Sequence, residues 1–159
     1  MAQSDVAPAA KGVGMSGLVA LIQSAGDLQL AYSAFRITLG MNIFFHGAMR
    51  LITGLDAWVQ MQGAAFTKTL LPMWSVHAFL YVLPFIEVIL GTLTTLGLFT
   101  RWALIGGSVM MLILVFGNDM RQDWGTVGNN MHYVLYYVLL IAALRYNSFA
   151  LDNRNRAHS

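Results

Sequence analysis

The sequence contains no cysteine among its 159 residues. Disulfides, thiolate nucleophiles, C-x-x-C redox pairs and cysteine-ligated zinc or iron–sulfur clusters are therefore excluded. Charge is also scarce, because Asp, Glu, Lys and Arg make up 10% of the chain, against about 25% in an ordinary soluble domain. Hydrophobic residues make up 57%, and the mean hydropathy is +0.62. This composition excludes a typical soluble enzyme and indicates a chain embedded in a membrane.

Several motifs that would identify a chemistry are missing as well. The sequence has no P-loop, no G-x-G-x-x-G fingerprint and no G-x-S-x-G nucleophile elbow, so nucleotide chemistry is not expected. It has no H-E-x-x-H or C-x-x-C-H sequence and no two histidines four residues apart, so no metal is predicted. No basic cluster suits a nucleic acid backbone. Any redox chemistry must therefore belong to a bound cofactor or to a partner.

Four long apolar runs predict four membrane-spanning helices. Each run is close to the ~20 residues that cross a ~30 Å hydrocarbon core. The predicted spans are residues 29–53, 72–97, 101–118 and 127–146, which together form one bundle domain at 29–146. Apolar residues at helical spacing, with polar residues between them, predict an interfacial helix at about 55–70. The fold class is therefore all-α, an integral membrane four-helix bundle with short interfacial helices.

The two ends of the chain are predicted to lie outside this bundle. Residues 1–28 are expected to form a mobile N-terminus followed by a short interfacial helix, with a cleaved signal peptide as the alternative. Residues 147–159 are expected to form a tail. Four spans place both termini on one side. Five basic residues fall on that side (Lys11, Arg101, Arg145, Arg154, Arg156) and three on the other (Arg50, Lys68, Arg121). The positive-inside rule then predicts a multi-pass protein of the cytoplasmic (inner) membrane with cytoplasmic termini.

Two charged residues fall inside the predicted spans, Arg36 in the first and Glu87 in the second. A charge at mid-membrane costs a few kcal/mol and must face protein, water or a ligand. At 1.5 Å per residue, the two lie at roughly 10 and 15 Å from the same side of the membrane. We predict a buried ion pair between Arg36 and Glu87. Two interpretations stay open: the pair fixes how the two spans dock, or Glu87 handles protons.

Three histidines lie inside or at the edges of the predicted spans. In an antiparallel bundle they all fall near the non-cytoplasmic side, together with other polar residues. The candidates for binding a quinone or another ligand are His46, Arg50, His77, Asn118, Asp119, Trp124, Asn129, His132, Tyr133 and Tyr136. No catalytic residue is identified, but His46 and His132 are candidates because imidazole titrates near neutral pH.

Three interpretations of this polar layer compete. It is an interfacial belt, where Trp, Tyr and His are normally enriched. Alternatively, it is a pocket for a head group such as a quinone, in which His and Tyr hydrogen-bond the carbonyls and Arg50 polarises a reduced oxygen. The third interpretation, a metal or haem site, has no supporting motif.

The most specific stretches of sequence lie in the first two spans. The first span contains FRITLGMNIFFHGAMRL, and the second ends LPFIEVILGTLTTLGLFTRWA. With Ser148 and Leu151-Asp152 near the end of the chain, these stretches resemble the DoxX/DoxD family of small four-span membrane proteins over residues 30–152. Arg50 stands where family members commonly have Lys. Ser148 and Leu151-Asp152 look like the serine–leucine–aspartate signature that closes the family's sequences, and Ala150 interrupts it. Arg145-Tyr146-Asn147 replaces the glycine pair that is usual before this signature.

The resemblance implies a four-helix membrane bundle. Its DoxD branch is associated with thiosulfate:quinone oxidoreductase, in which electrons from thiosulfate reach a membrane quinone. We therefore expect a membrane protein that serves quinone-linked oxidation of a small inorganic sulfur compound such as thiosulfate, as one subunit of a complex. Whether the chain is itself a quinone-dependent enzyme stays open. Its expected partners are the lipid bilayer, a membrane quinone, and other subunits or a second copy, with no nucleic acid.

The alternative is a non-catalytic membrane anchor or assembly subunit of a larger redox complex. Its support is the short length of the loops, which leave no extramembrane domain to bind a soluble substrate. A carrier of hydrophobic small molecules is a third possibility.

Overall fold

A computed structural model describes residues 26–152 of the chain together with Met15, Val19 and Gln23, which are helical and exposed. All regular structure among the described residues is helical, which confirms the predicted fold class. The helices are α1 (Asp27–Thr53), α2 (Leu55–Ala64), α3 (Met73–Leu96), α4 (Thr100–Met120) and α5 (Trp124–Ala142), followed by a 3-10 turn (Leu144–Tyr146).

The four long helices begin and end within four residues of the predicted spans, whereas α2 is six residues shorter than the predicted interfacial helix. Gly54 ends α1 at a φ of 120°, and Gly97 ends α3 in the left-handed region at a φ of 69°, where residues with a Cβ are strained. The predicted mobile segment and most of the helix before residue 26 lie outside the described residues, as does the tail after residue 152.

Two helices of the described chain, α3 and α4, are long and apolar enough to cross a membrane. The four-span count stays a prediction. Its support is that all four long helices expose large apolar side chains, which in water would form an unusually extensive apolar surface. Examples are Met41, Phe45, Val82, Phe85, Leu112, Phe116, Leu135 and Val138.

Helices α1 and α3 pack antiparallel, and small residues on both allow their backbones to approach closely. A Cβ on Gly40 would overlap Thr95, and a Cβ on Gly91 would overlap the backbone of Phe44. About two turns after Gly40, a Cβ on Gly47 would overlap the carbonyl of Pro84. Such contacts are common where membrane helices pack, and they fix the register of the two helices.

The core lies between α1, α3, α4 and α5. Its buried residues are Tyr32, Leu39, Ile43, Leu83, Leu104, Met110, Met111, Tyr137 and Leu140. The ring of Tyr137 packs over Gly107, where a Cβ would collide with it. A second, smaller cluster beneath α2 contains Val59, Phe66, Val76 and Leu80. This second cluster holds α2 across one end of the bundle.

Candidate ligand cavity

A cavity of about 520 Å³ lies beneath α2, at the end of the bundle where α1 and α4 finish and α3 and α5 begin. Its volume is within the range of about 300–1,000 Å³ that is typical of sites for small ligands. We call this end of the bundle the cavity end. The lining residues are Arg50, Trp58, Gln62, Phe66, Leu71, Ser75, Val76, Phe79, Leu80, Leu83, Ile113, Leu114, Phe116, Gly117, Asn118, Arg121, Thr126 and Asn130.

Arg50, in the last turn of α1, supplies one of the two cations in this lining. Its Nη1 donates to the Oε2 atom of Glu87, which is buried on α3. Its guanidinium lies 4.5 Å from the ring centroid of Trp58 on α2, in cation–π geometry. The charge is therefore held between a buried carboxylate on one side and an aromatic wall of the cavity on the other.

Arg121, in the turn between α4 and α5, supplies the second cation. Its Nη2 lies 3.0 Å from Oδ2 of Asp123, and its guanidinium lies 5.0 Å from the ring centroid of Phe66. Asp123 is the N-cap of α5 and accepts hydrogen bonds from both the hydroxyl and the backbone N–H of Thr126. These bonds, assisted by Arg121, lower the pKa of Asp123 below its usual range. The partner of Arg121 is thus an ionised carboxylate.

Neutral hydrogen-bonding groups complete the polar lining. Asn118 is buried, and its amide donates to the Leu114 carbonyl at 2.8 Å. An amide oxygen accepts and a second N–H donates, so Asn118 keeps hydrogen-bonding capacity beyond that one bond. The other neutral polar residues in the lining are Gln62, Ser75, Thr126 and Asn130. The cavity therefore combines apolar walls with a few donors, the usual pattern of a site that orients an amphipathic ligand.

The structure divides the predicted polar layer. Of its ten members, only Arg50 and Asn118 line the cavity. Asp119 follows Asn118, and its carbonyl accepts from the backbone N–H of Gln122. His77 packs against Gly63 of α2. The exposed members are His46, Trp124, Asn129 and His132.

The two tyrosines of the predicted layer join α5 to α1 instead. Tyr133 donates to Oδ1 of Asn42 at 2.9 Å. Tyr136 makes edge-to-face contacts with Phe35 and Tyr133, at centroid distances of 5.4 and 5.9 Å. These rings are half-buried, outside the cavity lining.

The predicted ion pair between Arg36 and Glu87 is wrong, because Glu87 pairs with Arg50. The close glycine contacts set the register of α1 on α3, and in that register Gly47 lies opposite Glu87. Arg36 lies about three helical turns before Gly47 on α1, too far from Glu87 to pair with it. Counting residues from the helix ends predicts similar membrane depths for Arg36 and Glu87, but this count takes no account of the register between α1 and α3.

Arg36 instead binds backbone carbonyls at the opposite end of the bundle. It is 1% exposed and donates to the carbonyls of Thr94, Thr95 (2.8 Å) and Phe149 (2.9 Å). The first two belong to the last turn of α3, where carbonyls lack partners within the helix and carry partial negative charge. Its role in the described structure is to join α1 to the end of α3 and to the last part of the chain.

Residues 147–152, which we call the C-terminal clasp, complete this end of the bundle. Asp152 accepts from the backbone N–H groups of Phe99 and Thr100 at 2.7 and 2.8 Å, so it caps α4 from 52 residues away. Ala150 packs against Gly97, where a Cβ would collide with it. The aspartate that closes the serine–leucine–aspartate pattern thus has a structural role.

Sequence reasoning missed most of the cavity lining. Trp58, Gln62 and Phe66 recur every four residues and line the cavity, but their spacing in the sequence predicts only an interfacial helix. On α5, Thr126 and Asn130 line the cavity, while the neighbouring Asn129 is exposed. The available signal was the register of Thr126 and Asn130 with the buried Tyr137, because residues four and seven apart share a helix face.

Comparison with known proteins gives one match. The sequence profile of a family described as DoxX matches residues 31–118, which is more than half of the chain and includes all of α2 and α3 and most of α1 and α4. No curated protein and no solved structure matches the chain.

Proposed function

Because the chain belongs to the DoxX family of membrane proteins, we propose that it binds a membrane quinone at the cavity end. We further propose that it serves quinone-linked oxidation of a small inorganic sulfur compound such as thiosulfate, as one subunit of a complex in the cytoplasmic membrane. The observation that carries this proposal is the cavity, in which hydrogen-bond donors project from otherwise apolar walls.

The residues of the cavity suit a quinone head group. A quinone ring is planar and apolar with carbonyl oxygens at its edge, so it needs apolar walls and a few donors. Leu80, Leu83 and Leu114 supply apolar contact, while Arg50 and Asn118 supply donors. The exposed apolar side chains of α3 and α4 are consistent with arrival of the isoprenoid tail from lipid.

The described residues account for binding and orientation. When bound, a quinone supplies the capacity to accept two electrons and two protons. The sequence has no cysteine, and the described residues contain no group of His, Asp and Glu that could hold a metal. We therefore assign oxidation of the sulfur compound, and the electron path, to a partner subunit.

The alternative is a non-catalytic anchor or assembly subunit. One observation favours it: the lining of the cavity, as far as the described residues form it, contains no histidine, carboxylate or tyrosine. A bound quinone would then have no side chain beside it that titrates near neutral pH. The two proposals differ in whether a quinone is retained at all.

The test is mass spectrometry of organic extracts from protein purified in mild detergent. Wild-type protein is compared with Asn118→Leu, which removes a polar group from the cavity at similar volume. The matched control is Asn129→Leu, because Asn129 lies one residue from the cavity-lining Asn130 but is exposed. An unrelated four-span protein from the same membranes gives the background.

The proposal expects about one quinone per chain in the wild type and in Asn129→Leu, and at least a threefold loss in Asn118→Leu. Background quinone in the wild type overturns the proposal and favours the anchor. Equal loss in both variants also contradicts it, because the effect would then not depend on the cavity.

A further inference from the structure

We infer that the cavity selects a ligand whose head group carries negative charge, and that Arg121 sets this selectivity. The inference rests on the proposed quinone site and adds a charge preference to it. It follows from where the positive and negative groups lie relative to the cavity.

The charges around the cavity are arranged asymmetrically. The two cations of the described lining are Arg50 and Arg121, and their carboxylate partners Glu87 and Asp123 lie outside the lining. The described lining contains no acidic residue. Each pair is close to neutral as a whole, but its positive member faces the cavity. In a site of low dielectric, such oriented pairs create a positive potential that stabilises an anion.

The guanidinium groups are held in place before a ligand binds. Each lies over an aromatic ring that also lines the cavity, Trp58 for Arg50 and Phe66 for Arg121. A guanidinium has five N–H donors in one plane. One of these on Arg121 is used by Asp123. A fixed guanidinium that retains free donor capacity is well suited to an oxyanion.

Arg121, rather than Arg50, is expected to set the selectivity. Arg50 binds a nearly fully buried carboxylate, so most of its charge is neutralised at close range. Asp123, in contrast, also accepts two hydrogen bonds from Thr126 at the positive end of α5. Its negative charge is shared between the helix terminus and Arg121, which leaves Arg121 the less neutralised cation.

The ligand class that fits is a planar ring with an ionised oxygen and an apolar body. The same preference stabilises the negative charge that quinone oxygens gain as electrons arrive. A site of this kind binds an ionised hydroxyquinone more tightly than a neutral quinone of the same size.

The experiment compares two probes of nearly equal shape. One is a hydroxynaphthoquinone, which is ionised at neutral pH, and the other is its methyl ether, which is neutral. Equilibrium dissociation constants are measured for both in the full chain in detergent, for the wild type and for Arg121→Gln. The control is Arg145→Gln, because Arg145 is exposed, also lies over an aromatic ring (Tyr146, 4.8 Å), and does not line the cavity.

The wild type and Arg145→Gln are expected to bind the ionised probe about tenfold more tightly than the ether, as a charge-assisted hydrogen bond predicts. In Arg121→Gln the ratio falls at least threefold, while affinity for the ether stays within twofold. Equal affinities in the wild type overturn the charge preference but leave the quinone site standing. A ratio unchanged in Arg121→Gln overturns the assignment to Arg121. If neither probe binds, the proposed function itself fails.

The wild-type ratio needs no variant, so the charge preference is tested even if Arg121→Gln does not fold. In that event Arg121→Lys tests the assignment. Lysine keeps the charge but loses the planar group that stacks on Phe66. The ratio is expected to fall below that of the wild type but to stay above one, and an unchanged ratio contradicts the assignment.

Discussion

The two arginines on the inner face of α1, Arg36 and Arg50, differ in what their guanidinium groups contact. Arg36 is 1% exposed and donates to three backbone carbonyls. Arg50, four helical turns along, has a side chain that is 23% exposed, binds a carboxylate and borders a cavity. The more buried arginine, Arg36, binds the protein's own backbone, whereas the more exposed Arg50 borders the cavity. Burial of a charge in a membrane helix therefore does not by itself locate a functional site.

The largest effect on stability is expected from Arg36→Met, which tests the structural role of Arg36. Methionine fills much of the volume but leaves one buried and two partly buried carbonyls without their donor, so we expect stability to fall by about 3 kcal/mol. Thermal unfolding in detergent measures this loss. The folded fraction should bind the ionised hydroxynaphthoquinone with wild-type affinity, because Arg36 lies at the opposite end of the bundle. If Arg36→Met bound the ionised probe more weakly but unfolded at the wild-type temperature, the assignment of a purely structural role to Arg36 would be contradicted.

Arg50 is expected to behave differently, since its loss affects both stability and binding. Arg50→Gln leaves Glu87 buried without its cation, and we expect a loss of about 2 kcal/mol, reduced from the fully buried case by partial exposure. The double variant with Glu87→Gln removes the stranded charge and should recover at least half of that loss. Weaker binding of the ionised probe should persist in both. A double variant no more stable than Arg50→Gln would show that Glu87 does not oppose folding.

A smaller effect is expected from Asp123→Asn, which tests the second ion pair of the cavity end. The pKa of Asp123 is lowered in the folded protein by its hydrogen bonds to Thr126. Its stabilising contribution is therefore present above the unfolded pKa of about 3.9 and is lost as pH falls through the lower folded value. Asparagine is also a good N-cap but does not titrate in this range.

The variant should therefore lie close to the wild type near neutral pH and lose less stability than the wild type in acid. Unfolding temperatures measured across this pH range test the expectation. Equally steep losses in the two proteins would contradict it.

The sequence was sufficient to predict the long helices. Apolar runs of about 20 residues are a strong signal, and the first two end beside Gly54 and Gly97, whose backbone conformations end helices. The fourth long helix, α5, begins three residues before its predicted start, directly after the capping Asp123. The resemblance to DoxX is confirmed by the match over residues 31–118, and the DoxD branch stays a prediction. The sequence does not predict where α2 ends. The helical spacing of apolar residues continues to Leu70, but the helix ends at Ala64.

The site was only partly predictable, because the helix faces are ambiguous. On α1, at about 100° per residue, His46 and Asn42 lie roughly 80° and 120° from the buried Arg36. Both are exposed. When the lipid-facing side of a helix is as apolar as its core side, hydropathy does not distinguish them. The close glycine contacts of α1 with α3 decide the faces, and they depend on pairs far apart in sequence.

The same limit explains the incorrect pairing of Arg36 with Glu87. An estimate of depth is one-dimensional, whereas partner choice depends on the register between two helices and on the reach of each side chain. Arg50 is three residues beyond Gly47, and its long side chain reaches back to Glu87. The charges predicted to need partners were identified correctly, but the partners were not.

The C-terminal clasp is synthesised after the five helices, so one end of the bundle is completed only after the helices have been made. Phe149 and Asp152 leave the ribosome after all five helices have been synthesised. Until then, Arg36 has only the α3 carbonyls as acceptors, and the first N–H groups of α4 lack the carboxylate that caps them. Closure of this end of the bundle therefore requires that residues 149–152 have been synthesised. A nascent chain that stops before residue 148 would carry α1 to α5 and still lack the contacts that close one end of the bundle.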